Sequence, residues 1–161
     1  MWRGLVVSTI CLCVLASRVC AQLTWTKTSP GGGGAFLTAD VAADGTVLVG
    51  SDLSGIYRRD GAGNWTRIGR KDGLDATSVE VIRWKPGQSL IALAGTRNGL
   101  FRIPSGSPQI PWTKVAAFGS EDITAMAWKG DTVFATTGGN ASSALKLRWS
   151  TDGGGTIWTD I

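Results

Sequence analysis

A Trp-Thr pair recurs at Trp25-Thr26, Trp65-Thr66, Trp112-Thr113 and Trp158-Thr159, with spacings of 40, 47 and 46 residues, and this repeat restricts the chain to folds assembled from like units. Three stretches superimpose around these anchors: Leu37 to Arg67, Val79 to Val115 and Ile123 to Ile161. Each opens on an alternating segment, Leu37 to Ala42, Val79 to Trp84 or Ile123 to Trp128, and Trp84 and Trp128 stand 44 apart, each before a Lys and a glycine-bearing turn. A small apolar run follows: Thr46 to Gly50, Leu90 to Gly95, or Thr132 to Thr137. The third part joins apolar residues to a basic one, as in Gly55-Ile56-Tyr57-Arg58, Gly99-Leu100-Phe101-Arg102 and Ala144 to Arg148, and the Trp-Thr segment is the fourth.

Four short strands separated by Gly, Asp, Asn and Pro turns, repeated at about 45 residues, predict an all-β propeller with one four-stranded blade per unit. A β-sandwich also has evenly spaced strands, but nothing in that architecture asks each unit to repeat the same strand-specific residues. Residues 22–161 therefore read as about three blades. Rings close with about four to eight, so the chain is expected to continue beyond Ile161. Trp25-Thr26-Lys27 carries the fourth-strand signature with no three strands ahead of it, and is expected to complete the last blade and lock the ring.

The first 21 residues read as a signal peptide: Arg3 precedes an apolar run from Leu5 to Ala16, and Val19-Cys20-Ala21 supplies small residues for cleavage after Ala21. The run is shorter than the roughly 20 residues a membrane span requires, and Arg18 interrupts it, so a secreted protein without an anchor in this segment is expected. Cys11, Cys13 and Cys20 leave with the signal, and the chain has no histidine. Disulfides, thiolate zinc sites and imidazole-dependent chemistry are thereby excluded from the mature chain; no metal site and no cofactor is expected, and any acid–base work falls to carboxylates. With Arg3 and Arg18 removed, 14 Lys and Arg face 12 Asp and Glu, a net charge of +2 that is too mild to point to nucleic acid.

Ser150-Thr151-Asp152-Gly153-Gly154-Gly155-Thr156, followed by Ile157 and Trp158, resembles the Asp-box of sialidases and sortilin-type receptors, Ser-x-Asp-x-Gly-x-Thr-Trp, with one residue inserted before the tryptophan. The resemblance implies a structural turn between third and fourth strands, with Ser150, Asp152, Gly154 and Thr156 as its defining residues. Asp60, five residues before Trp65, takes the corresponding place in the first unit, and Pro104 to Pro111 has lost it.

A second resemblance covers residues 24 to 68. Trp25-Thr26-Lys27, the glycine run Gly31 to Gly34 leading into Ala35-Phe36-Leu37-Thr38, and Gly50-Ser51-Asp52-Leu53-Ser54-Gly55-Ile56-Tyr57-Arg58 look like the start of the xyloglucanases of glycoside hydrolase family 74. Ser54 replaces the first glycine of that family's pair. The resemblance implies two facing propellers and an inverting pair of carboxylates, with Asp52 at the first position and the second outside this chain. An inverting pair stands about 6.5–9.5 Å apart, leaving room for a water. For an Asp between Gly-Ser and Ser-Gly, capping its own turn is the commoner role, and it stands as the alternative for Asp52.

The expected partner is a polysaccharide or other glycan of the β-glucan or xyloglucan type. The alternative is a non-catalytic propeller, sortilin-like or assembly-factor-like, that binds protein or glycan. Trp25, Trp65, Trp112 and Trp158 repeat with the unit and are expected to pack, whereas Trp84, Trp128 and Trp149 lie at strand ends and are candidates for stacking on sugar rings. Asn64 and Asn140 head sequons usable for N-glycosylation in a eukaryotic secretory pathway.

Overall fold

The computed structural model describes residues 31, 33–103, 111–138 and 144–161. The predicted signal peptide, Trp25-Thr26-Lys27 and Asn140 lie outside the described residues. Each repeat folds as one antiparallel four-stranded meander. Sheet 1 runs β1 (Phe36–Val41), β2 (Val47–Ser51), β3 (Gly55–Arg59) and β4 (Trp65–Ile68). Sheet 2 runs β5 (Val79–Trp84), β6 (Ala92–Thr96), β7 (Gly99–Arg102) and β8 (Thr113–Lys114), and sheet 3 runs β9 (Ile123–Lys129), β10 (Thr132–Thr137), β11 (Lys146–Ser150) and β12 (Thr159–Asp160). Strands pair in sequence order within every sheet, as in propeller blades.

The sheets stack through two apolar layers that follow from the alternation along the strands. Leu48 and Ile56 of sheet 1 meet Val79, Ile82, Trp84, Ala94 and Phe101 of sheet 2. Leu93 and Leu100 of sheet 2 meet Ile123, Met126, Val133 and Ala135 of sheet 3. Leu48, Ile56, Leu93 and Leu100 are fully buried, and each such side chain contributes about 1.5–3 kcal/mol of hydrophobic stabilisation. Polar bonds pin the first seam: Thr38 Oγ1 accepts from the Ile82 amide at 3.2 Å, and Asp40 Oδ2 from the Trp84 amide at 2.7 Å. Sheet 2 is covered on both faces. The outer faces of sheets 1 and 3 expose Phe36, Val41, Leu147 and Ile161.

One correction concerns register. The sequence superposition sets Leu37 beside Val79, yet Phe36 pairs with Ser51 as Val79 pairs with Thr96 and Ile123 with Thr137. A β-bulge follows in every sheet and puts Leu37, Glu80 and Thr124 in the unpaired position. A bulge adds a residue without changing the partner strand, so an alternation count slips by one there. After the bulge, Gly50 and Gly95 face the neighbouring sheet so closely that a Cβ would lie 2.8 Å from Val79 Cγ1 or 2.7 Å from Ile123 Cγ2. Two short 3-10 turns, Arg70–Asp72 and Ala116–Phe118, sit in the links between sheets and have no counterpart in the strand pattern.

Candidate functional site

The meander places the β2–β3 turn, the β4–β5 link and the β6–β7 turn at one end of the sheets, and these three segments enclose a cleft of about 530 Å³. Asp52, Ser54, Arg67, Thr77, Arg97 and Asn98 border it, over the fully buried Leu74. Asp52 is held rather than free. Its Oδ1 accepts from the Ala35 amide at 2.8 Å, and its own amide donates to the Ala35 carbonyl at 3.1 Å.

Gly34 is what lets the chain come so near. Gly34 has φ of +95°, and a Cβ on it would fall 2.2 Å from Asp52 Oδ1. Ser51 Oγ accepts from the amides of Leu53 and Ser54, both at 3.2 Å, and Ser54 Oγ donates to the Gly33 carbonyl at 2.7 Å. Gly33, Gly34 and Ala35 thus clasp the Asp52 turn, with Ser54 contributing a bond that a glycine could not make.

Cations border the cleft. Arg67 Nε donates to the Ser54 carbonyl at 2.9 Å, Arg70 pairs with Asp75 at 2.9 Å, and Arg97 pairs with Glu80 at 2.9 Å. Asp75 is the other carboxylate on the wall among the described residues, and its ion pair ties it to Arg70. Sequence reasoning singled out Asp52 and missed Arg67, Arg97 and Asn98. A signal existed: Thr96-Arg97-Asn98-Gly99 sits where Ser51 to Gly55 does in the preceding unit, and Thr96 Oγ1 accepts from the Asn98 amide at 3.0 Å as Ser51 does in its own turn.

The other end carries the remaining candidates. Asp152 lies in the β11–β12 turn and accepts from the amides of Gly155, Thr156 and Ile157 at 2.9, 2.8 and 3.0 Å, and from the Ser150 hydroxyl. Partial burial pushes its pKa up, but the Ser150 hydroxyl and the three amides outweigh that and hold the carboxyl at about 2. Gly154 packs this turn on Leu93 of sheet 2, and Arg102 Nε reaches the Gly153 carbonyl at 3.2 Å. Asp60 makes a simpler version in sheet 1: the Asn64 amide donates to it at 2.8 Å and the Asn64 side chain at 3.2 Å, and both lower its pKa. Asn64 is exposed.

Of the three stacking candidates, Trp84 is not at an open strand end; it is 6% exposed because sheet 1 covers it. Trp128 is half-buried beside it, and both line a cavity at the end opposite Asp52. Trp149 is half-buried on β11, in register with Phe134 and Thr159 on the outer face of sheet 3. Trp112 is buried, and Trp158 packs edge-on to Phe118 at 4.7 Å. No helix among the described residues is long and apolar enough to cross a membrane.

No protein-family model matches the chain, and a search of curated proteins finds no match. Among solved structures, the chain is similar to an ancestral GH74 enzyme, with a TM-score of 0.66 and 24% identity over 88% of this chain and 20% of that one. It therefore spans about a fifth of that enzyme's length. At this identity the likeness shows the fold: the three sheets are all-β propeller blades, and in the described residues they form no closed ring.

Proposed function

We propose that the chain forms the first blades of a secreted glycoside hydrolase acting on β-glucan or xyloglucan-type polysaccharide, with Asp52 as one carboxyl of an inverting pair. The observation that carries this reading is Asp52 itself, fixed by the Ala35 amide at the edge of a cleft of about 530 Å³ on a fold shared with a GH74 enzyme. A rigidly held carboxyl beside an open cleft is what proton transfer to or from a bound sugar needs. One member of the pair protonates the leaving glycosidic oxygen while the other takes a proton from the attacking water. The partner carboxyl belongs to a part of the protein outside this chain. Arg67 and Asn98 offer hydrogen bonds to sugar hydroxyls, and the Asp152 turn serves as the Asp-box.

The second reading is a non-catalytic binding propeller. It is favoured by the same Ala35 bond, which is also what a turn-capping aspartate makes. Asp52→Asn in the full-length protein separates the two. Asparagine can still accept from Ala35 but cannot carry the proton, so turnover on xyloglucan oligosaccharides should fall by about 10²- to 10⁴-fold with the melting temperature little changed. Unchanged turnover in a folded variant removes Asp52 from the chemistry.

A further inference from the structure

The Asp52 carboxyl depends on a loop that little packs against. Gly33, Gly34 and Ala35 are all exposed, and a Cβ on Gly33 would meet no atom within 4 Å. Apolar contact therefore does not fix Gly33, and its position rests on polar bonds. Yet the Ala35 amide is the one donor among the described residues that meets the Asp52 side chain, on Oδ1 at 2.8 Å. Whatever holds Gly33 to Ala35 in place also holds the Asp52 carboxyl.

Two hydroxyls reach the Gly33 carbonyl. Ser54 Oγ donates to it at 2.7 Å and Ser51 Oγ at 3.4 Å. The Ser51 hydroxyl also accepts from the Leu53 and Ser54 amides of its own turn, so the short bond across to the loop is that of Ser54. Ser54 is fixed in turn from the cleft side, because Arg67 Nε on β4 donates to its carbonyl at 2.9 Å. One residue thus ties the entering loop, the Asp52 turn and the cleft wall together.

The repeat makes the same tie in sheet 2. Asn98 precedes Gly99 as Ser54 precedes Gly55, and its Nδ2 donates to the Asp75 carbonyl at 2.9 Å, in the link that leads into β5. In both sheets the side chain before the glycine that opens the third strand holds the segment entering the first. In sheet 1 that segment carries the amide on which Asp52 rests.

We propose that Ser54 is a positioning residue for Asp52: its hydroxyl latches Gly33, and so keeps the Ala35 amide on the carboxyl at the cleft edge. The role rests on the reading of Asp52 as an acid–base group, for which a misplacement of about 1 Å costs about 10²-fold in rate.

Two readouts on the full-length protein test it. Hydrogen exchange at the Ala35 amide reads the latch without any turnover. Ser54→Ala should speed that exchange at least about fivefold, Ser54→Thr, which keeps the hydroxyl, should restore it, and Asp52→Ala, which removes the acceptor, sets the released rate. Turnover on xyloglucan oligosaccharides reads the consequence. In folded Ser54→Ala, kcat should fall about tenfold with KM within about twofold, and Ser54→Thr should recover most of it. Because the hydroxyl acts through Asp52, Ser54→Ala should add nothing to the loss in an Asp52→Asn background. A latch that served stability alone would lower the melting temperature and leave kcat per folded molecule unchanged, which would overturn the proposal. So would unchanged Ala35 exchange in Ser54→Ala, or a full further loss of kcat on top of Asp52→Asn. Full turnover in Asp52→Asn strikes the enzymatic reading instead, and the Ala35 exchange then decides the latch by itself.

Discussion

Replacing Asp152 by alanine removes the acceptor of three backbone amides and of the buried Ser150 hydroxyl in one step. Bonds to a charged acceptor contribute about 1.5–3 kcal/mol each where water is excluded, but the turn is largely open and water re-solvates the freed amides. The pKa gives a second route to the magnitude. Lowering from 3.8 to about 2 converts to roughly 2 kcal/mol, which solvent screening reduces to about 1. A loss of about 1–2 kcal/mol at pH 7 follows, or about 3–8 °C in melting temperature for a domain of this size.

The pH dependence has a definite sign. Because the folded carboxyl titrates below the unfolded one, its contribution is whole above about pH 4 and is lost as pH falls toward about 2. Thermal melts of the native protein and Asp152→Ala, followed by tryptophan emission, should therefore differ most near neutrality and converge in acid. Equal destabilisation at both extremes would show that the side chain acts through packing rather than charge, and refute the argument.

Three further outcomes follow from the packing. Gly95→Ala should cost about 1–3 kcal/mol, because its Cβ would lie 2.7 Å from Ile123 Cγ2 and Val81 Cγ1 where the sheets press together; Gly69→Ala, with open space around it, is the control in urea unfolding. Glu121→Ala should cost about 2–3 kcal/mol by the same assay, since it strips the 2.7 Å partner from Arg148, whose side chain is only 10% exposed and retains Asp160 as a weaker partner; an unchanged urea midpoint would show that Asp160 suffices. Leu145→Ser with Ile161→Thr should weaken self-association of the isolated chain in sedimentation, because those side chains are 87% and 74% exposed beside Leu147 on one sheet face.

The repeat in the sequence was enough to determine the number of sheets and their four-strand make-up. That information is local: alternation sets which residues form strands, and Asp, Ser and Gly at fixed offsets make turns such as that of Asp152 from their own backbone. Asp52 was legible for the same reason, as a polar turn between two strands. Tertiary structure decided what depends on a neighbouring sheet. The bulge that shifts Leu37 to the unpaired position is invisible to an alternation count, because the extra residue has no partner to register it. Trp84 ends its strand in the sequence yet is buried, because sheet 1 lies across it. Arg67, Arg97 and Asn98 reach the Asp52 cleft only because separate turns are brought to one end of two stacked sheets. Arg148 finds Glu121, 27 residues away in sequence, only through the docking of sheet 3 on its link, since side-chain contacts at that separation are set by packing and not by the local chain.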